Sequence, residues 1–302
     1  MKVSTEPTLE SRIGETLIGL GPLEEIIETA IFSAYLTEVI PLSLMLIGPS
    51  GIGKSKCIMQ YRGNAGTHLT TDITSMGLQE IMAKDTEQQV RFIIIPDFNI
   101  VLSHRHATLQ LTVANLLSIT SEGSVRIDDG RQEKEVQHTP VGIISAMTRE
   151  MYAMIGKKWV ALGFSRRFLP LNYDYSLSTK EKINRAIADN LVTNLQLVLK
   201  NIKVPPRSAN VNIDNESSQR IMNLSHELAT NMGWTPIVNR KDVNKPKAIN
   251  LGKHMEFSPH ITLRTLARAH ALRSNRNVVL DEDVTFCMKV ISYTRYDQPA
   301  QL

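Results

Sequence analysis

The chain has 302 residues, 42% of them hydrophobic, enough apolar material for a full core and for about two domains. No apolar run nears the roughly 20 residues of a membrane span, residues 1–12 are polar and acidic where a secretory signal is basic then apolar, and two cysteines build neither a disulfide framework nor a metal-ligand spacing. A cytoplasmic protein with no membrane partner is expected; its net charge of +4 is carried by residues 201–302, where 14 Lys and Arg face 9 Asp and Glu.

In chain order, Leu23, Ile26, Ile27, Ala30 and Ile31 recur at helical spacing and predict a helix over 22–36. An apolar strand over 42–47 follows, then a glycine-rich loop and a helix to about Tyr61. Phe92-Ile93-Ile94-Ile95 is short, β-branched and unbroken, the pattern of a strand buried on both faces. Leu109, Val113, Leu116 and Leu117 predict a helix over 107–119. Ser124-Val125-Arg126-Ile127, the turn Asp128-Asp129-Gly130 and a polar return through Val136 read as a β-hairpin. Val141-Gly142-Ile143-Ile144 and Phe168-Leu169-Pro170-Leu171 are two more strands. Strands alternating with helices imply an α/β fold with a parallel sheet covered on both sides.

The character changes after Tyr175. Ser178-Thr179-Lys180-Glu181 reads as a capping box opening a helix with Ile183, Ile187, Leu191 and Leu195 on one face. Val204-Pro205-Pro206 breaks the chain, and helices are expected at about 215–231, at 260–275 and from Asp281. The expected organisation is an α/β nucleotide-binding domain over 1–175 and a smaller helical domain over 176–302.

Gly48-Pro49-Ser50-Gly51-Ile52-Gly53-Lys54-Ser55 fits the phosphate-loop pattern G-x-x-x-x-G-K-[ST] at every fixed position, between a strand and a helix. Glycines let consecutive backbone N–H groups turn inward around phosphate oxygens, and the helix that follows aims its positive end at the same anion. Lys54 is then expected on the terminal phosphates and Ser55 on a magnesium ion, so the loop predicts binding of a nucleoside triphosphate, with ATP and Mg2+ as the ligands. His104 and His106 flank Arg105 at a spacing that converges on no single metal.

The order of later segments resembles the AAA+ ATPases, the branch of MoxR-type and MCM-type proteins in particular. The matching segments are Pro96-Asp97-Phe98-Asn99, Glu122-Gly123 with the 124–136 hairpin, Ser145-Ala146-Met147-Thr148, Ser165-Arg166-Arg167-Phe168, and Thr262-Leu263-Arg264-Thr265-Leu266. The resemblance spans about 20–180 and 256–285 and implies a P-loop NTPase core followed by a helical lid. It implies a polar sensor at Thr148, an arginine finger at Arg167 with Arg166 as its rival, and a lid arginine at Arg264 closing over the γ-phosphate. One departure bears on mechanism. Where the family ends its second strand in Asp-Glu, this chain has Pro96-Asp97: either Pro96 replaces the metal-supporting Asp and Asp97 stands in the Glu slot, or Asp97 takes the metal slot with no base beside it, and either way one carboxylate covers both roles. Slow hydrolysis, or binding that mainly drives assembly, follows as an expectation.

The leading expectation is an ATPase that assembles as a homo-oligomeric ring or filament and remodels or moves a nucleic-acid-associated complex. Its basic contacts would come from Arg240, Lys241, Lys245, Lys247 and Lys253, or from Arg126, Arg131 and Lys134 of the 124–136 hairpin. A MoxR-like chaperone ATPase acting on a protein partner, with those residues solvated in an exposed loop, and a slow nucleotide switch are the alternatives.

Overall fold

The computed structural model describes residues 17–128, 133–161, 163, 167–189, 199–205, 208–232, 234–239, 242–250 and 257–302. Helix α1 (Gly21–Ser33) leads into strand β1 (Ser43–Gly48), and the loop that follows opens α2 (Lys54–Met59). Then come β2 (Thr67–Leu69), α3 (Ser75–Lys84), β3 (Phe92–Ile95), α4 (Phe98–Leu102) and α5 (His106–Ser121). A hairpin of β4 (Ser124–Asp128) and β5 (Glu133–Gln137) precedes β6 (Gly142–Thr148), α6 (Arg149–Ala161) and β7 (Phe168–Asp174). The remainder is α7 (Leu177–Ala188), α8 (Asn215–Met232), the hairpin β8 (Trp234–Asn239) and β9 (Asp242–Asn250), α9 (Phe257–Arg273), α10 (Asp281–Ile291) and β10 (Ala300–Gln301).

Six strands form one sheet in the order β10-β7-β1-β6-β3-β2, and every pairing in it is parallel. The fold is therefore the α/β class with a parallel core and a helical C-terminal region. Side chains alternate across the sheet. Leu44, Leu46, Ile94, Ile144, Leu171 and Tyr173 face α1 and the helices α8, α9 and α10 in one continuous core. Met45, Ile47, Ile93, Ile95, Ile143 and Met147 face α3, α4 and α5 in the other. All six positions of β1 are buried, as a strand covered on both faces requires.

Several expectations change. The helix after Tyr175 starts at Leu177 and is capped by Ser176, whose Oγ accepts the Thr179 N–H at 3.2 Å, so Ser178 already lies inside the helix. The stretch expected as a basic loop is largely strand: Asp242–Asn250 pairs antiparallel with Trp234–Asn239, with Lys247 opposite Ile237. Residues 300–301, which carry no strand signal of length, add to the sheet beside Tyr173 and Asp174. Asp129, Gly130, Arg131, Ser165, Arg166, Leu191, Leu195, Pro206, Arg240, Lys241 and Lys253 lie outside the described residues. No helix among the described residues is long and apolar enough to cross a membrane.

Charge ties the helical region to α1. Glu24 meets Lys200 at 2.6 Å, Glu28 meets Arg273 at 2.7 Å and Glu25 meets Lys289 at 2.8 Å. Inside that region Asp283 is fully buried and accepts from His270 at 2.6 Å, from Arg276 at 2.7 and 2.8 Å and from the Leu280 N–H at 2.7 Å. Burial alone would raise its carboxyl pKa; the hydrogen bonds from His270 and Arg276 outweigh that and hold it below the ordinary carboxylate range. Replacing Asp283 by Asn takes from Arg276 its buried charged partner, leaving only the exposed Glu282, and is expected to cost about 3 kcal/mol in urea unfolding at pH 7. Because a lowered carboxyl pKa adds stability above the unfolded pKa and loses it as pH falls through the folded one, the gap between parent and variant should close in acid.

Candidate nucleotide-binding site

Parallel pairing sends the C-terminal ends of β1, β3, β6 and β7 to one edge of the sheet, where ligand crevices form in open α/β sheets. Gly48 at the end of β1 pairs with Thr148 at the end of β6, and Ile95, one residue before Pro96, pairs with Ser145. Strand β6 thus lies between the strand that carries the loop and the strand that leads to Asp97. A cavity of about 450 Å³ opens there, lined by the loop from Ser50 to Lys56 and by Pro96, Asp97, Asn99, Met147 and Thr148.

The loop bends as the motif requires. Gly51 and Gly53 hold φ of 81° and 79°, in the left-handed region that costs glycine least. The chain also approaches Gly48 closely: a Cβ there would stand 2.5 Å from Ile52 Cδ1 and 2.9 Å from the Tyr173 carbonyl. The Lys54 ammonium is buried and donates to the Gly48 oxygen at 2.9 Å and to the Pro49 oxygen. Its pKa is lowered by burial, against the opposing pull of Glu150 and Asp97. Ser55 donates to the Pro96 carbonyl at 2.9 Å. The hydroxyl expected on the metal therefore faces a backbone carbonyl next to Asp97.

Asp97 caps α4, accepting the Asn99 N–H at 3.0 Å through one oxygen. The Asn99 side-chain oxygen is buried with no hydrogen-bond partner. An acceptor without a donor beside a cavity is short of a cation or a water, so the donor set here fits a hydrated magnesium ion. Thr148 is partly buried, and its Oγ accepts the Met151 N–H at 3.3 Å, capping α6 while its own proton remains free to donate.

The other half of the cavity is apolar: Leu17, Ile18, Leu20, Tyr175, Ile183 and Ile187. The Tyr175 hydroxyl donates to the Ile52 carbonyl at 2.9 Å and so fastens β7's exit to the phosphate loop. Sequence reading missed this wall, because its residues come from three segments that only the sheet brings together.

Arg167 and Arg264 do not line this cavity, and Arg167 is the one expected to serve a neighbouring subunit's site. Arg167 is exposed just before Phe168, which pairs with Ser43 at the opposite edge of the sheet, and the rise from Ser43 to Gly48 is about 17 Å. It therefore does not reach the site of its own chain. Arg264 is exposed on α9 and does not line the cavity. One turn further on, Arg268 donates to the Val211 carbonyl at 2.9 Å and to Asn210 at 3.2 Å, beside the Leu36–Ala209 bridge. That contact sits beyond the C-terminal end of α1, about 20 Å from the Leu20 end at the cavity.

Lys54→Ala is expected to weaken Mg-ATP binding at least tenfold by calorimetry, since both loop geometry and charge aim at the phosphates. A bound polyphosphate would also lift the lowered Lys54 pKa, so binding in the alkaline range should take up protons. Comparing buffers of different ionisation enthalpy reads that uptake, which Lys54→Ala should abolish.

No protein-family model and no curated protein matches the sequence. Among solved structures, a crystal structure presented as a candidate ATPase from Cytophaga hutchinsonii ATCC 33406 is similar at 14% identity, with a TM-score of 0.49, over 91% of this chain and 82% of that one.

Proposed function

We propose that this chain is a P-loop ATPase of AAA+ type that binds ATP with magnesium and hydrolyses it. The observation that carries the reading is the loop itself: left-handed Gly51 and Gly53, a buried Lys54 at the start of α2, and Ser55, Asp97 and Thr148 gathered around one cavity at the carboxyl edge of a parallel sheet. Loop amides and Lys54 would hold the phosphates; the apolar wall of Leu17, Leu20, Tyr175 and Ile183 would take the base. Ser55 and Asp97 would hold the magnesium through oxygen atoms, directly or through water, with Asn99 accepting from that water. Bound there, magnesium neutralises charge on the terminal phosphates. Thr148 would donate its hydroxyl proton to the γ-phosphate or to the attacking water.

The position of Arg167, remote from its own cavity and exposed, supports its use in a neighbouring protomer of a homo-oligomer. An arginine delivered in trans stabilises charge on the transferred phosphoryl, by about 10³-fold or more in rate. The division into an α/β domain over 1–175 and a helical domain over 176–302 belongs to the same reading, although the apolar core runs from the sheet into α8, α9 and α10. Arg264, exposed on α9, would reach nucleotide across a subunit boundary.

The finer reading places the chain in the MoxR/MCM-like branch, with the β4–β5 hairpin after Glu122-Gly123 as its support. Its work would be on a nucleic-acid-associated complex, touched by that hairpin or by Lys245 and Lys247 of β9. A chaperone acting on a protein partner is the competitor. Phosphate contacts release counterions, so the nucleic-acid reading requires DNA or RNA affinity that falls steeply with salt, and an affinity indifferent to salt would remove it.

Size analysis with ATP, with ADP and without nucleotide tests the assembly directly. A larger species with ATP is expected. Arg167→Ala should keep nucleotide affinity and lose at least a hundredfold in turnover; adding protomers with intact Arg167 but Lys54→Ala should restore part of it. Full turnover in isolated monomers of Arg167→Ala would refute the shared site.

A further inference from the structure

The ATPase reading leaves one carboxylate, Asp97, for two tasks. Ser55 donates to the Pro96 carbonyl, so the residue nearest the metal-binding hydroxyl has no acid to offer, and Asp97 is already tied by the Asn99 N–H. A second acid must come from another element. Strand β6 lies between β1 and β3, and its last residue, Thr148, pairs with Gly48 and lines the cavity. The chain then turns directly into α6, which puts Glu150 in the first turn of that helix, at the same end of the sheet as Lys54 and Asp97.

Three further facts single out Glu150. Its side chain is exposed, so it can move toward a ligand in the crevice. The turn that carries it is fixed on both sides: Thr148 caps it through the Met151 N–H, and the Arg149 guanidinium lies 5.7 Å over the Tyr296 ring. Finally, the Lys54 ammonium feels Glu150 ahead of Asp97 among the charges that offset its burial, so the carboxylate stands within electrostatic reach of the group that grips the terminal phosphate.

Building on the ATPase reading, we propose that Glu150 is the water-activating carboxylate of this site, with Asp97 left to support the metal. In the step, the Glu150 carboxylate accepts a proton from water as the water oxygen bonds to the γ-phosphorus. The bond from that phosphorus to the β–γ bridging oxygen breaks, its electron pair leaves with ADP, and the freed group is inorganic phosphate. A positioned base of this kind contributes about 10²–10⁴-fold.

The test uses the full chain and measures binding and turnover separately. Glu150→Gln is expected to bind Mg-ATP within about twofold of the parent and to lose at least a hundredfold in kcat. Glu150→Asp should recover part of the rate, with Mg-ATP affinity unchanged in both variants. Asp97→Asn is expected to lose the magnesium-dependent part of ATP affinity. Parent turnover in Glu150→Gln, or an Asp97→Asn protein that binds Mg-ATP normally yet cannot hydrolyse it, overturns the assignment and leaves the ATPase reading standing. A parent protein that binds ATP no better than Lys54→Ala would overturn both.

Discussion

Strand β1 is hydrogen-bonded along both edges and buried on both faces, and the rest of the molecule is arranged around that fact. A strand so enclosed cannot be paired by a hairpin; its parallel neighbours must be reached by crossovers, which is what α2 through α5 and α6 provide. Parallel pairing then brings the ends of four strands to a single edge. Gly48, Thr148, Pro96 and Tyr175 come together from distant parts of the sequence for no reason other than this register. The site is a product of topology before it is a product of any one motif.

Within it, burial and charge oppose each other in an instructive way. A lysine amine enclosed by protein is unfavourable as a cation, and the loop answers with two backbone carbonyls. Phosphate oxygens would answer better, because they carry charge where carbonyls carry dipoles. Ligand entry therefore exchanges weak acceptors for strong ones at an ammonium that is already desolvated. The Asn99 oxygen presents incomplete bonding on the other side of the crevice.

The strands that were readable in the sequence were those whose environment is uniform. Phe92 to Ile95 is apolar throughout because both faces are buried, and the glycine pattern at 48–53 reflects backbone angles that other residues resist. What escaped were features decided by tertiary context. Thr67–Leu69 is too short to carry a period, and Ala300–Gln301 is strand only because β7 offers a free edge. The lysine-rich stretch at 242–250 has turn-forming composition, yet pairing with Trp234–Asn239 makes it a strand. At the site, local chemistry identified the loop and Asp97 but gave no sign of Ile183 or Ile187, whose helix meets the crevice from beyond β7. The expected role of Arg264 followed a resemblance, and one turn further on Arg268 is anchored to residues 210–211 by tertiary contacts that no local pattern announces.

The short pairing at β10 has a mechanical result. The chain leaves the sheet at Asp174 and comes back alongside it, with the Leu302 N–H on the Asp174 carbonyl and the Ser176 N–H on the Leu302 carbonyl. The two ends of the C-terminal region are thus clasped together where β7 stops, while Lys200, Arg273 and Lys289 fasten its middle to α1. Ile183 and Ile187 consequently wall the crevice from a helix whose first residue follows directly on that clasp at Ser176.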